Sequence, residues 1–498
     1  MTYAEPLSKE AVFAQAKSGT LIAKALIPNR TAAECSFLPT LNPFDNSKIG
    51  YVESCNSEIV NEAVAVARKT FESGVWSALS PSDRKVVMQR WAALIEAHKY
   101  ELAALDCVDV GKPIKECLSA DIPDAINTIS WYAEAVDKIF GKVSPTSGEH
   151  LGLVVKEPIG IVGTVLPWNF PSATFSWKVA PALAAGNSVI VKPAEQTSLG
   201  AYRLVQLAHQ AGIPEGALLL VTGLGPETGK PIGLHLDIDV VSFTGSTEVG
   251  RYFLEYSAQS NLKEVILECG GKSPQIIFPD IYSIDEIVND ILNAAFYNMG
   301  ENCSCGSRLI VHTTIKEKLL KAMIAKLSEW KVGNPADMSV FIGPMIEEAH
   351  FQKVMSHIEK AKAEGAELIH GGKALPLGAG KCIEPTIFDN VTPDMTLFKE
   401  EVFGPVLAVM TFETEEEAIA LANNTSYGLA ASLYTSDLRR AHRVSRAIKA
   451  GTVSVNCFSE GDQSTPFGGH KESGFGGQDK GLEAFDQYVS TKTIWYAN

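Results

Sequence analysis

From residue 151 onward, short apolar runs rich in Val and Ile alternate with longer stretches whose apolar residues recur every three or four positions. Leu153–Leu166, Ser188–Val191, Ala217–Val221, Val240–Phe243, Glu264–Leu267 and Gln275–Phe278 read as strands. Helical spacing fills Leu199–Ala211 and Glu248–Ser257 between them. Runs this apolar fit strands buried on both faces, and the helical stretches between them supply the crossovers of a parallel sheet. The texture returns further on. Leu309–Val311, Glu367–Ile369, Val406–Thr411, Ala430–Tyr434 and Thr452–Val455 alternate with helical patterns over Lys316–Trp330, His350–Glu364, Glu415–Asn423 and Asp437–Ile448. Before residue 145 the chain reads as mainly helical after an irregular start, with Asn61–Glu72, Ser82–Leu105 and Ile122–Phe140 amphipathic. The tail, Tyr488–Tyr496, alternates as a strand does. The fold class predicted is α/β.

Length and composition narrow this. A chain of 498 residues, 46% hydrophobic and 20% charged, has globular usage and room for two to four domains or one large assembly. The formal charge of −15 argues against nucleic acid, which needs clustered Lys and Arg. It favours a cationic substrate only loosely, since net charge mostly governs solubility. No apolar run spans a bilayer, and Met1–Glu10 lacks the basic and apolar regions of a secretory signal. Nine dispersed cysteines fit reduced thiols, so a cytoplasmic location is expected. Cys303 and Cys305 stand close together without a nearby His, so no metal site is expected.

Several motifs carry possible chemistry. Gly223-Leu-Gly225-Pro-Glu-Thr-Gly229 follows a strand candidate but has the wrong glycine spacing for a dinucleotide loop, and a plain turn fits better. Phe243-Thr-Gly245-Ser246-Thr247 closes a strand and opens a helix, where Ser246 or Thr247 either caps the helix or helps present its free N–H groups to an anion. Cys303 lies among Gly, Glu, Asn, Ser and Arg, which is poor company for a core cysteine and suits a reachable thiol. Glu268 ends an apolar run, as a base or as half of an ion pair. Asn169 is held between Pro167 and Pro171, either in an Asx turn or as a fixed amide donor.

Together the motifs occur in a telling order. Pro167-Trp-Asn-Phe-Pro171, Lys192-Pro-Ala-Glu195, Phe243-Thr-Gly-Ser-Thr247, Leu267-Glu-Cys-Gly-Gly-Lys-Ser273, the Cys303 segment, Glu401-Val-Phe-Gly-Pro405 and Pro466-Phe-Gly-Gly469 closely resemble the NAD(P)-dependent aldehyde dehydrogenase superfamily over residues 40–495. Gly300-Glu301-Asn302-Cys303 departs from the Gly-Gln-x-Cys of many members, and Gly477-Gln478-Asp479 departs from their Arg and acid. The resemblance implies a Rossmann-like cofactor domain (1–140 and 160–269), an α/β catalytic domain (270–470) and a β oligomerisation arm (141–159 and 483–498). It implies a homodimer or dimer of dimers. It makes Cys303 the nucleophile, Asn169 an oxyanion donor, Glu268 the hydrolytic base and Lys178 a residue tuning the thiol. Trp168, Lys192, Glu195, Gly245, Ser246, Glu401 and Phe403 would bind NAD, with NADP weaker because Glu195 repels a 2′-phosphate.

The chain is most similar to bacterial γ-glutamyl-γ-aminobutyraldehyde and ω-aminoaldehyde dehydrogenases of polyamine degradation. Glu460 and Asp462, in the loop before Pro466, suit an ammonium tail or else point into solvent. Phe170, Trp177, Phe296, Phe458 and Phe467 are the aromatic candidates for the substrate wall. A broad-specificity aldehyde dehydrogenase is the alternative. A catalytically silent structural member is a further one, opposed by the presence of Cys303, Glu268 and Asn169 together.

Overall fold

A computed structural model describes residues 5–33 and 35–497. The first four residues of the segment weighed as a signal, and Asn498 at the end of the expected arm, lie outside that range. Two parallel sheets organise the chain. The first runs Gly474–Phe475, Glu264–Glu268, Val240–Thr244, Ile161–Val165, Ser188–Lys192, Leu218–Leu220. All its neighbours are parallel except Gly474–Phe475, which returns from the far end of the chain to pair antiparallel with Leu267 and Glu268. Ile161–Val165 and Ser188–Lys192 are buried at every position, which is why they read as unbroken apolar runs. Strand order reverses between Ile161–Val165 and Val240–Thr244, and such a switch point opens a crevice at the carboxyl ends of the strands.

The second sheet runs Glu367–His370, Thr386–Asp389, Val406–Phe412, Arg308–His312, Pro274–Ile277, Ala430–Tyr434, Thr452–Val455, antiparallel only at its first pair. The segments feeding the amino ends of its central strands are Gly270–Ser273, Cys303–Ser307 and Glu401–Pro405. These segments meet the carboxyl-end crevice of the first sheet. Gly271 lies so close to the Cys303 carbonyl that an added Cβ would stand 2.3 Å from its oxygen. A third, three-stranded sheet joins Val489–Ala497, His150–Pro158 and Lys142–Ser144.

Some expectations shift by local chemistry. Leu153–Leu166 is two strands in two sheets, split where Gly160 takes φ 133°. Ser82–Leu105 is two helices, Pro81–Ala97 and Lys99–Val110, meeting at His98. The irregular start holds a small sheet of Leu21–Ala23, Lys48–Glu53 and Phe37–Leu41. Gly225–Gly229 is one π-helical turn, in line with the plain turn expected there. Among the described residues no helix is long and apolar enough to cross a membrane.

Candidate active site

The nucleophile candidate sits behind a strained turn. Asn298, Met299 and Gly300 all adopt left-handed backbone angles (φ 51°, 57° and 71°), a costly run for non-glycine residues that buried packing sustains. The turn delivers Cys303 to a small apolar cluster of Trp177, Leu429 and Phe467, with the cysteine half-buried against it. Cys305, two residues on, is buried and its thiol points to the Ala295 carbonyl at 3.2 Å. Burial pushes the Cys303 thiol well above its ordinary value, and the carboxylates of Glu460, Glu401 and Glu268 push it further.

Asn169 follows the strand Ile161–Val165, and its side chain is buried. Its Nδ2 donates to the Glu301 carbonyl at 2.9 Å, and Asn298 Nδ2 donates to the Asn169 carbonyl at 3.1 Å. One amide hydrogen is therefore spent on orientation, and the second remains for a ligand oxygen. Glu268 terminates its strand with a buried carboxylate whose two oxygens have no hydrogen-bond partner. Desolvation, then the charge of Asp479, raises its pKa well above the carboxylate range, and Lys178 opposes the shift. A Cβ at Gly468 would stand 2.9 Å from Glu268 Oε1, so glycine there lets the loop close over the acid.

Lys178, expected to tune the thiol, is placed beside Asp479 and acts electrostatically on Glu268. Its buried Nζ donates to Asp479 Oδ2 at 3.1 Å and to Ser242 Oγ at 3.2 Å. Asp479, given no role from the sequence, is thus the buried counter-ion of Lys178, and both act electrostatically on Glu268.

At the outer end the two loop acids part ways. Glu460 turns inward, where its Oε1 accepts from Ser304 Oγ and from Asn302 Nδ2 at 3.4 Å. Asp462 stays exposed and caps its own turn, accepting from Ser464 N at 2.8 Å and Ser464 Oγ at 2.6 Å. Its expected place at the substrate is corrected by that local Asx geometry. Phe296 is corrected too, because it is fully buried in the second core against Trp330. Phe170 stacks on Tyr297 under Lys112 Nζ, and Trp177 packs edge-on to Phe467 at 5.5 Å. Phe458 is half-buried in the loop itself. Two acids the sequence reading passed over stand nearby. Asp124 accepts from Trp177 Nε1 at 2.5 Å, and its carboxyl is pushed up to about 6 by burial. Asp121 is buried and pairs with Lys112 at 2.8 Å. The Glu460 charge reaches both acids.

The profile of a family described as the aldehyde dehydrogenase family matches residues 30–494. The chain belongs to the aldehyde dehydrogenase family. It is 50% identical over 493 residues to aminoacetaldehyde dehydrogenase of Pseudomonas aeruginosa, covering 99% of each chain. A Burkholderia cenocepacia γ-glutamyl-γ-aminobutyraldehyde dehydrogenase structure superposes with a TM-score of 0.94 at 43% identity, covering 99% of this chain and 100% of that one. P. syringae AldA indole-3-acetaldehyde dehydrogenase, solved with NAD+ and IAA, superposes at 0.96 with 42% identity and the same coverage. As a family member the protein is an oxidoreductase acting on aldehydes.

This aldehyde dehydrogenase offers a dinucleotide four kinds of contact around the crevice. Ser246 caps the helix Thr247–Gln259 through Val249 N and stands exposed at its amino end, where free N–H groups suit a pyrophosphate. Lys192, the last residue of its strand, is buried, and its Nζ bonds the Pro193 carbonyl at 3.0 Å and Glu195 at 3.4 Å, leaving Glu195 partly open to a ribose. Glu401 accepts from Gly271 N at 2.9 Å, and burial lifts its carboxyl to about 7. Trp168 meets Phe403 edge-on at 5.3 Å, and Phe403 holds a left-handed φ of 58°. Gly245 donates its N–H to the Glu268 carbonyl, tying the cofactor loop to the base. These donors and acceptors fit NAD.

Proposed function

We propose that the protein oxidises ω-aminoaldehydes to amino acids with NAD, through a covalent cysteine adduct. The Cys303 thiolate attacks the aldehyde carbon and forms a thiohemiacetal. Asn169 Nδ2 donates to the oxygen as it gains charge. NAD, when bound, takes up the hydride. The thioester left on Cys303 is then attacked by water, whose proton Glu268 accepts. The apolar walls of Trp177, Leu429 and Phe467 limit stray water around the adduct. Glu195 favours NAD over NADP, since a carboxylate at the ribose repels a 2′-phosphate.

The observation that carries the substrate class is the inward turn of Glu460. It places a carboxylate one hydrogen bond from the residue following the nucleophile, with Asp124 and Asp121 in its field. The resident cations are occupied. Lys112 is held by Asp121, and Lys480 lies 4.6 Å over Trp177 while donating to the Glu460 carbonyl. An ammonium tail would meet aromatic faces and a net negative field. The names of the Pseudomonas and Burkholderia relatives point the same way. The protein is read as a cytoplasmic homo-oligomer, a dimer or a dimer of dimers joined by the three-stranded arm.

A steady-state panel tests the substrate class. Aminoacetaldehyde, 4-aminobutanal, γ-glutamyl-aminobutanal, hexanal and benzaldehyde are compared with NAD and NADP. A partly desolvated ion contact is worth roughly 1.5–3 kcal/mol. Glu460→Gln should therefore lower the kcat/KM ratio of 4-aminobutanal to hexanal by about tenfold to a hundredfold. An unchanged ratio would leave a broad-specificity enzyme as the better reading.

A further inference from the structure

The two side chains that hold Glu460 flank the nucleophile. Ser304 follows Cys303 and Asn302 precedes it, and both donate to the same carboxylate oxygen, Oε1. Oε2 receives neither bond, so the carboxylate is pinned at one oxygen and presents the other. Ser304 is fully buried, and its backbone N–H is tied to Asn302 Oδ1 at 3.0 Å. Its hydroxyl has one hydrogen and two acceptors within reach, Glu460 Oε1 and Asn302 Oδ1 at 3.0 Å. An ionised carboxylate is the stronger acceptor, so the hydrogen goes to Glu460 while Glu460 carries its charge.

The rest of the loop is anchored elsewhere. Lys480 donates to the Glu460 carbonyl at 3.1 Å, Gln463 Nε2 to Asp124 Oδ1 at 2.7 Å, and Ser454 Oγ to the Ser459 carbonyl at 2.8 Å. These contacts hold the loop's main chain at Ser459 and Glu460 and its Gln463 side chain, without aiming the Glu460 side chain. Its direction depends on Ser304 and Asn302.

We infer that Ser304 is a positioning residue for substrate selection, orienting Glu460 from the nucleophile's own loop so that the ammonium end of the substrate is registered against the carbonyl attacked by Cys303. This rests on the aminoaldehyde reading above. A hydroxyl one residue from the nucleophile would then set charge preference without touching the reacting atoms. Because the side chains that hold the carboxylate flank the thiol in one short segment, the distance between the two recognition points is set by that segment and the hydrogen bonds it makes. A loop held only at its ends would let that distance vary.

The test reads the kcat/KM ratio of 4-aminobutanal to hexanal in four proteins: Ser304→Ala, Glu460→Gln, their double variant, and Glu460→Asp. Hexanal serves as internal control for general damage, because a merely structural defect lowers both aldehydes together. Removing a hydrogen bond to a charged group should cut the ratio in Ser304→Ala by about five- to thirtyfold. In the Glu460→Gln background the same change should alter the ratio by less than about twofold, since the carboxylate it orients is gone. Glu460→Asp keeps the charge but withdraws it one methylene from Ser304, and it should resemble Ser304→Ala. This exposed-loop variant keeps the question answerable if the buried serine change impairs folding. If Glu460→Gln collapses the ratio while Ser304→Ala and Glu460→Asp leave it intact, the positioning role is wrong and the aminoaldehyde reading survives. If Glu460→Gln itself leaves the ratio intact, the aminoaldehyde reading fails with it.

Discussion

Glu268 shows how one residue's surroundings assign its task. A carboxylate enclosed without hydrogen bonds resists ionisation, and the Asp479 charge adds to that resistance. Lys178, bonded to Asp479, moderates the shift. The acid is therefore a poor resting anion, and in the proposed role of base it must first lose its proton. Deacylation should climb with pH beyond the ordinary carboxylate range, since only the ionised form takes the water proton. Glu268→Gln keeps the shape and removes the acceptor. The expected trace is a rapid burst of NADH near one per active site, followed by slow turnover. Rapid-quench or stopped-flow absorbance shows it, and a variant lacking the burst would place Glu268 before hydride transfer. Cys303, Glu268 and Asn169 stand out in the sequence as candidates because each lies in a motif of small and rigid residues. Asp479 does not, because its meaning comes from Lys178, 301 positions away. Glu460 and Asp462 were indistinguishable as letters. Only the Ser464 turn, which claims Asp462, separates them.

Among the elements, those buried on both faces announced themselves. Ala430–Tyr434 and Val240–Thr244 match their apolar runs because a central parallel strand is covered on both faces, and a single small serine in each, Ser432 and Ser242, does not break the run. The helix Pro171–Ala184 was missed for the converse reason. It is buried all round and carries Pro181, so it shows neither an amphipathic stripe nor an ordinary helix composition. Gly474–Phe475 is two residues long, and its pairing partner lies over two hundred positions upstream. A helix packed beside Pro171–Ala184 hosts a packing cost. Asp106, on Lys99–Val110, is buried with both oxygens unpartnered, beside Ser172 and the Gly200 turn of Leu199–Ala211. Burial first, then the Asp121 charge, lifts its carboxyl to about 7. The folded carboxyl thus keeps its proton up to about pH 7, whereas the unfolded one loses it near 4. The folded state binds more protons across that window, so stability falls as pH rises through it and the loss is complete above 7. Asp106→Asn cannot ionise and escapes the loss. Thermal scans should show the variant's advantage over wild type growing from pH 5 to pH 8.5, towards roughly 4 kcal/mol at most. Parallel Tm curves would mean that the carboxyl is ionised, or relieved by water, throughout.

At the scale of the molecule the unusual feature is the arm. Val489–Ala497 pairs with His150–Pro158 through nine residue pairs, and Lys142–Ser144 closes the other side. A lone three-stranded sheet has little core of its own, and its outer strand offers unpaired backbone groups to another chain. The arm is also apolar where it meets solvent. Trp495 is 58% exposed, Tyr496 51% and Val143 70%. Trp495 lies over Gly152 and beside His150, so its ring is held in a fixed attitude rather than waving from the tail. Aromatic residues held out in this way suit a surface that another protein could cover. A second copy of the chain is the economical occupant, because a two-fold pairing of such arms buries both sets at once. Sedimentation velocity at micromolar protein should give a mass two or four times 53.6 kDa. Trp495→Asp with Tyr496→Asp places charge on that surface without breaking the nine-pair ladder, whose hydrogen bonds are made by the backbone. The doubly substituted protein should sediment as a smaller species, with far-UV circular dichroism unchanged and an apparent Tm that depends less on concentration than the wild type's. The site itself is assembled within one chain from the two parallel sheets, so the smaller species should retain the Glu460-dependent preference for aminoaldehydes. An undiminished mass in the variant would show that the arm is not the joint. A wild-type monomer would leave these aromatics to a different partner.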